Sequence, residues 1–308
     1  MSAFHEVAAG LQFPEGPVAL PDGDLLAVEI ARGTLTRIKP DGALQVVAEL
    51  GGGPNGAAIG PDGKCYVCNN GGFRWHRKDG RIFPGLMDET YSGGRIERVD
   101  LETGKAEVLY SECDGEPLKG PNDIVFDAHG GFWFTDHGKM RRRDRDRTGV
   151  FYAKADGSAI REAIFPVDGP NGIGLSPDGK RLYVAETHAA RLWAYDIAAP
   201  GEIVRGRGAA PWEPGQLVAG MADYRLFDSL AVDADGNICI GTIVDGGVTV
   251  ISPDGASVEH VPTPDRFTTN ICFGGPALRT AYITLSSTGR VVAMDWPRPG
   301  LGLNYLND

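Results

Sequence analysis

"PNDIVFDAHG" at residues 121–130 and "PNGIGLSPDG" at residues 170–179 share one frame: a polar residue opens a hydrophobic run that ends at a glycine turn. Asn122 and Asn171 each stand eight residues before the turn glycine, Gly130 or Gly179. One such Asn would be explained by turn chemistry, since its side chain bonds its own backbone. The frame, however, recurs. Glu15 stands eight residues before Gly23 in "PEGPVALPDG", Asn55 eight before Gly63 in "PNGAAIGPDG", and Asp228 eight before Gly236 in "DSLAVDADG".

After each turn comes a short β-rich run: "DLLAVEI", "KCYVCNN", "GFWFTD", "KRLYVAE" or "NICIGTI". Asp-Gly between hydrophobic runs signals a hairpin, because Gly accepts the positive φ that the turn demands. A second series of turns follows at "KPDG" 39–42, "LETG" 101–104, "KADG" 154–157 and "SPDG" 252–255. Each unit therefore holds two hairpins, or four antiparallel strands. Unit boundaries fall at 12–50, 51–115, 116–166, 167–220, 221–262 and 263–296. The last copy, "FGGPALRTAYITLSSTGRVVAMDW", keeps its strands and loses Asp-Gly; aligning "TNICF" with "DSLAV" puts Thr269 in the polar place.

A repeat of about 50 residues lies in the range of propeller repeats. Such units cannot bury their faces alone, and radial stacking buries them. The expected fold is all-β: a six-bladed β-propeller, with residues 1–308 as one domain. Residues before 12 are expected to add an outer strand that closes the circle. A β-sandwich does not predict paired hairpins in a constant frame. The one short helical candidate is "GLMDETYSGG".

Innermost strands line a propeller channel, and equivalent positions lie at equal depth. Glu15, Asn55, Asn122, Asn171, Asp228 and Thr269 are therefore expected to form a polar collar around the axis. Polar side chains also line water-filled channels without binding anything. Here two carboxylates converge with carboxamides, and buried like charges need a partner. A hard divalent cation supplies one, since carboxylate and amide oxygens are its preferred ligands. The collar holds no Cys or His, which disfavours the usual kind of zinc site.

Composition bounds the function. The 308 residues are 42% hydrophobic and 23% charged, with a net charge of −11. That balance argues against nucleic acid, which needs a concentrated basic surface. No apolar run approaches the ~18 residues of a membrane span, and the N-terminal "MSAFHEVAAGLQFPEG" lacks a secretory pattern. The five cysteines are scattered, and Cys65 and Cys68 in "KCYVC" are expected to point to opposite faces of a strand as packing residues. A cytoplasmic protein with no membrane partner is expected; the oligomeric state is not legible.

From "FPEGPV" through "PNDIVFD", "PNGIGLSPDGKRLYVAE" and "DSLAVDADGN" to "TTNICFGG", the chain resembles the SMP-30/gluconolactonase/LRE-like family of six-bladed propellers. That family includes regucalcin-type lactonases and diisopropylfluorophosphatase. The resemblance implies Glu15, Asn171 and Asp228 as metal ligands, with Asn122 as a ligand or a substrate contact. It also implies Asp228 as general base, or as nucleophile in phosphatase members. Regucalcin-type members carry Arg two residues before the third-blade Asn, and here Gly120 stands in that place.

The expected activity is opening of a small lactone, with a divalent cation polarising the carbonyl and Asp228 assisting water. Ca²⁺ is the first expectation, with Zn²⁺, Mn²⁺ or Mg²⁺ as substitutes. The rivals are a phosphotriester hydrolase on the same site and a non-catalytic ligand-binding propeller. Asn55 and His137, the latter in "FTDHGK", are substrate-binding candidates beside Asn122. The insertion at 74–90 is long enough for a lid or pocket wall, with Trp75 and Phe83 as apolar contacts. "KMRRRDRDR" at 139–147 reads as a solvated loop rather than an anion clamp.

Overall fold

In the computed structural model, residues 4–206 and 215–307 are described. Six antiparallel sheets stand around one axis. The first runs outward as Pro14–Ala19, Leu25–Glu29, Thr34–Ile38 and Leu44–Glu49. The other innermost strands are Pro54–Ile59, Pro121–Phe126, Pro170–Leu175, Leu226–Val232 and Thr268–Gly274. Each touches the next, and Thr268–Gly274 touches Pro14–Ala19, closing the circle. The molecule is a six-bladed β-propeller. His5–Ala8 supplies the outer strand of the last blade by pairing with Arg290–Asp295, so the two ends of the chain share one sheet.

Five blades have four strands. The fourth has five, because its long third strand, Arg191–Ala199, is met on its outer side by two short ones. Gln216–Gly220 pairs with its first half and Glu202–Ile203 with its second, the register shifting in both pairings. The uniform four-strand unit is thus corrected at this blade: its outer strand is split. Two-stranded ribbons stand apart from the blades at Trp75–Lys78/Arg81–Pro84 and Glu112–Cys113/Glu116–Pro117. "GLMDETYSGG" forms no helix; among the described residues the helical element is a single turn at Ser286–Thr288. No helix there is long and apolar enough to cross a membrane.

The cores lie between blades. One cluster joins Tyr66, Ile96, Phe126 and Phe132 of blades two and three, and another joins Trp133, Ile173, Leu182 and Tyr195 of blades three and four. Cys65 and Cys68 fall in different clusters, on opposite faces of their strand. Alternation along a strand thus serves both neighbouring interfaces.

At the axis the inner strands approach too closely for side chains. A Cβ at Gly16 would lie 2.5 Å from the Asn55 carbonyl oxygen, and one at Gly56 would lie 2.5 Å from that of Asn122. These glycines set the spacing of the collar.

Candidate active site and metal centre

Each inner strand carries one extra residue relative to its neighbour, and the bulge falls at the collar. The register slips between Glu15 and Val18, Pro54 and Ala57, Pro121 and Ile124, and Pro170 and Ile173. It slips again between Phe227 and Leu230 and between Thr268 and Asn270. A bulge re-aims side chains and ends regular pairing, which frees the strand start from strict alternation. Glu15, Asn55, Asn122, Asn171, Asp228 and Thr269 accordingly stand at equivalent places in the six inner strands, all buried except Asp228, which is half-buried.

Glu15 is held on one side only. Its Oε2 accepts the Asn270 side-chain amide at 2.6 Å and the backbone N–H of Gly16, while Oε1 is buried without a partner. The Asn122 Oδ1 is likewise buried and unpartnered. Asn171 is fixed by its Nδ2 donating to Thr187 Oγ1 at 3.1 Å and its Oδ1 accepting from Ser229 Oγ at 3.4 Å.

The electrostatics are those of crowded acids. Burial pushes the Asp228 carboxyl well above the usual range, and the charge of Glu15 adds to it. Burial likewise raises Glu15, against the hydrogen bonds from Asn270 and Gly16. Two such carboxyls do not ionise together without a cation between them. Two acids, amide oxygens and two orphaned acceptors therefore fit a hard oxygen-seeking cation. Among the described residues no three His, Cys, Asp or Glu side chains group in metal-binding fashion, so any such centre depends on carboxamides.

His137 lies outside the collar. Its backbone N–H donates to the Gly120 carbonyl at 2.9 Å, and its imidazole stands 5.9 Å from that of His188. Burial, with His188 and Lys139 nearby, lowers its pKa to about 4, so the ring is neutral at pH 7. The buried Nδ1 has no hydrogen-bond partner. The basic loop is partly neutralised: Arg141 pairs with Asp144 and Asp146, and Arg145 with Asp168.

Three neighbours escaped the reading of single positions. Asn270 buttresses Glu15, though it stands beside Thr269 in "TTNICF". Asp123 follows Asn122; its carboxylate oxygens face the backbone N–H groups of Ile124 at 2.9 Å and Ile173 at 3.3 Å. Burial, then the charge of Glu15, pushes Asp123 up to about 8. Lys139 is buried from a basic run, its Nζ donating to Asn70 Oδ1 at 3.0 Å and the Gly72 carbonyl at 2.8 Å. A sequence signal existed only for Asp123, in the doubled polar start "ND". A cavity of ≈ 340 Å³ lies against the inner strands, walled by Asp123, Ile173, Leu230 and Asn270 and by Leu303 and Leu306 of the C-terminal segment.

The chain is 26% identical to a gluconolactonase from Zymomonas mobilis, across 91% of this chain and 78% of that protein. It is 30% identical to lactonase drp35 from Staphylococcus saprophyticus, across 83% of this chain and 71% of the relative. The solved structure of a gluconolactonase from Xanthomonas campestris superposes with a TM-score of 0.75 at 23% identity, covering 96% of this chain and 90% of that one, and shares the fold. A family model described as SMP-30/Gluconolactonase/LRE-like region matches residues 13–287, and the chain belongs to that family.

Proposed function

We propose that this protein, acting as one propeller domain, is a divalent-cation-dependent hydrolase that opens a small lactone. The observation that carries the reading is the pair of buried, unpartnered oxygens, Glu15 Oε1 and Asn122 Oδ1, at places equivalent to those of Asp228 and Asn171. The names of the gluconolactonase and lactonase relatives support the reaction class. Glu15, Asn122, Asn171 and Asp228 would hold the cation, with Ca²⁺ the best match to an all-oxygen set. Bound there, the cation supplies Lewis-acid polarisation of the lactone carbonyl.

The chain's own groups do the rest. Asp228, half-buried beside Asn171, takes the proton of the attacking water as general base. Asn270 keeps Glu15 from turning away. Asn55 orients the carbonyl or a hydroxyl, and the neutral His137 offers its unpartnered Nδ1 to the substrate. The free cysteines suit a reducing, cytoplasmic compartment.

The test is lactone ring opening, followed by acid release, with chelator-treated protein before and after Ca²⁺, Mn²⁺, Mg²⁺ or Zn²⁺ is restored. Loss and recovery of turnover is the expected result. Undiminished turnover after verified metal stripping overturns the cation's part. Turnover of a fluorophosphate but of no lactone would move the reaction to phosphorus, and turnover of neither would leave a binding propeller.

A further inference from the structure

Two residues before each collar residue stand Phe13, Gly53, Gly120, Gly169, Leu226 and Phe267. None of these side chains forms hydrogen bonds. Two of the glycines also leave no room for one: a Cβ at Gly53 would lie 2.4 Å from Asn70 Oδ1, and one at Gly120 would lie 2.8 Å from the Gly138 carbonyl oxygen. The layer above the collar is therefore apolar over blades one, five and six; its polar side chains, Asn70 near Gly53 and His137 and His188 near Gly169, stand over blades two to four.

The second-blade insertion extends this layer. Its hairpin, Trp75–Lys78 with Arg81–Pro84, reaches back over blade one to blade six. Ring centroids are 5.2 Å apart for Phe13 and Trp75, 5.1 Å for Phe83 and Phe267, and 6.4 Å for Phe13 and Phe267. Phe73 continues the series, 5.9 Å from Trp75 and with Lys139 Nζ 3.9 Å from its centroid. The insertion is tied to blade six by Arg81 and Asp265 at 4.0 Å, and to the third-blade loop by Met87 N–H on the Met140 carbonyl at 3.0 Å. Trp75, Phe83 and Phe267 are half-buried, so each keeps part of its ring surface open. This is a fixed aromatic wall running from blade two to blade six.

We propose that the wall selects lactones bearing an alkyl or aryl substituent over polyhydroxylated ones, with Trp75, Phe83 and Phe267 as the specificity-determining residues. The proposal rests on the lactonase reading above and narrows its substrate. A sugar lactone brought against Phe83 and Phe267 would lose water from its hydroxyls and find no donor or acceptor in return. An alkyl or aryl group there leaves water for apolar surface, which is favourable. A site built to recognise a polyol needs polar side chains in this layer, since hydroxyl discrimination comes from buried partners.

Three δ-lactones with the same six-membered ring test it: glucono-δ-lactone, unsubstituted δ-valerolactone and δ-decalactone, which carries a pentyl chain. The expected kcat/KM order is decalactone, valerolactone, gluconolactone, with the first two separated by about ten-fold or more. Phe83→Ala and Phe267→Ala should each lower the decalactone-to-valerolactone ratio by about ten-fold, chiefly through KM. Phe83→Leu should keep most of it. Circular dichroism identifies folded variants, and the wild-type order stands as a test even if the alanine variants do not fold. Gluconolactone as the best substrate, or an unchanged ratio in a folded variant, overturns the proposal while the lactonase reading stands. Turnover of none of the three overturns both.

Discussion

Asn270 donates its side-chain amide to Glu15 Oε2 at 2.6 Å across 255 residues of sequence. The contact joins the innermost strands of the last and first blades, where the circle closes, and leaves Glu15 Oε1 aimed without a partner. Asn270→Ala should therefore loosen the carboxylate without removing it. Cation affinity, measured by calorimetry on metal-free protein, should fall by about ten-fold, with turnover largely restored at saturating cation. An unchanged affinity would remove Asn270 from the site.

Glu15→Gln and Asp228→Asn should each weaken cation binding by roughly ten-fold or more while the fold stays intact. The blades are held by clusters such as Tyr66, Phe126 and Phe132, which lie between blades and away from the collar. Asp228→Asn should stay slow even at saturating cation, because it also loses the base. Dissociation constants, thermal melts and turnover separate these effects. Full activity in either variant contradicts the assignment.

Asn55 and Asn122 hold equivalent places but should not share a role. Asn122→Ala removes an orphaned acceptor and should lower metal occupancy, read by elemental analysis. Asn55→Ala should retain the metal and change relative rates on two lactones. Equal metal loss in both would show the division to be wrong.

Lys139 makes stability depend on pH. Burial lowers its pKa from 10.5 to about 7, against the pull of Asp136 and Asp146. Below about 7 it is charged in both folded and unfolded states, so it adds no slope. Between about 7 and 10.5 the unfolded chain binds more protons, so the contribution of this group to stability rises with pH. The Tm difference between the wild type and Lys139→Met should grow across that window. A flat difference would show that the side chain is not buried as described.

Gly56→Ala should act through spacing. Its Cβ would stand 2.5 Å from the Asn122 carbonyl oxygen, in backbone that cannot swing aside. Overpacking of this kind costs about 1–3 kcal/mol, and the shift of Asn122 should weaken cation binding as well. Denaturant melts and metal titration read the two effects. A neutral substitution would mean that inner-strand contact does not set the collar.

Some of this architecture was legible in local patterning. Asp22-Gly23, Asp62-Gly63, Asp178-Gly179 and Asp235-Gly236 each announce a hairpin through the backbone freedom of glycine, a property of two residues. The constant distance from Glu15, Asn55, Asn171 and Asp228 to those glycines, and from Asn122 to Gly130, then put them in one frame, because strands rise evenly. The split outer strand of the fourth blade was not legible. It depends on two short segments sharing one edge of Arg191–Ala199, and the Pro-Gly pairs before them, Pro200-Gly201 and Pro214-Gly215, mark turns without saying which edge each segment joins.

Repeat number and strand starts were thus determined by the sequence, through periodicity and turn chemistry that act over about ten residues. Only the tertiary structure decided which atoms the collar leaves free. Asn270 takes one oxygen of Glu15 and leaves the other; Ser229 and Thr187 occupy Asn171; nothing occupies Asn122 Oδ1. The aromatic wall is of the same kind, since Phe83 and Phe267 meet at 5.1 Å from blades that are neighbours only across blade one. Hydrogen-bond occupancy and ring contact are pairwise properties of residues far apart in the chain, and they arise only when the blades close on their axis.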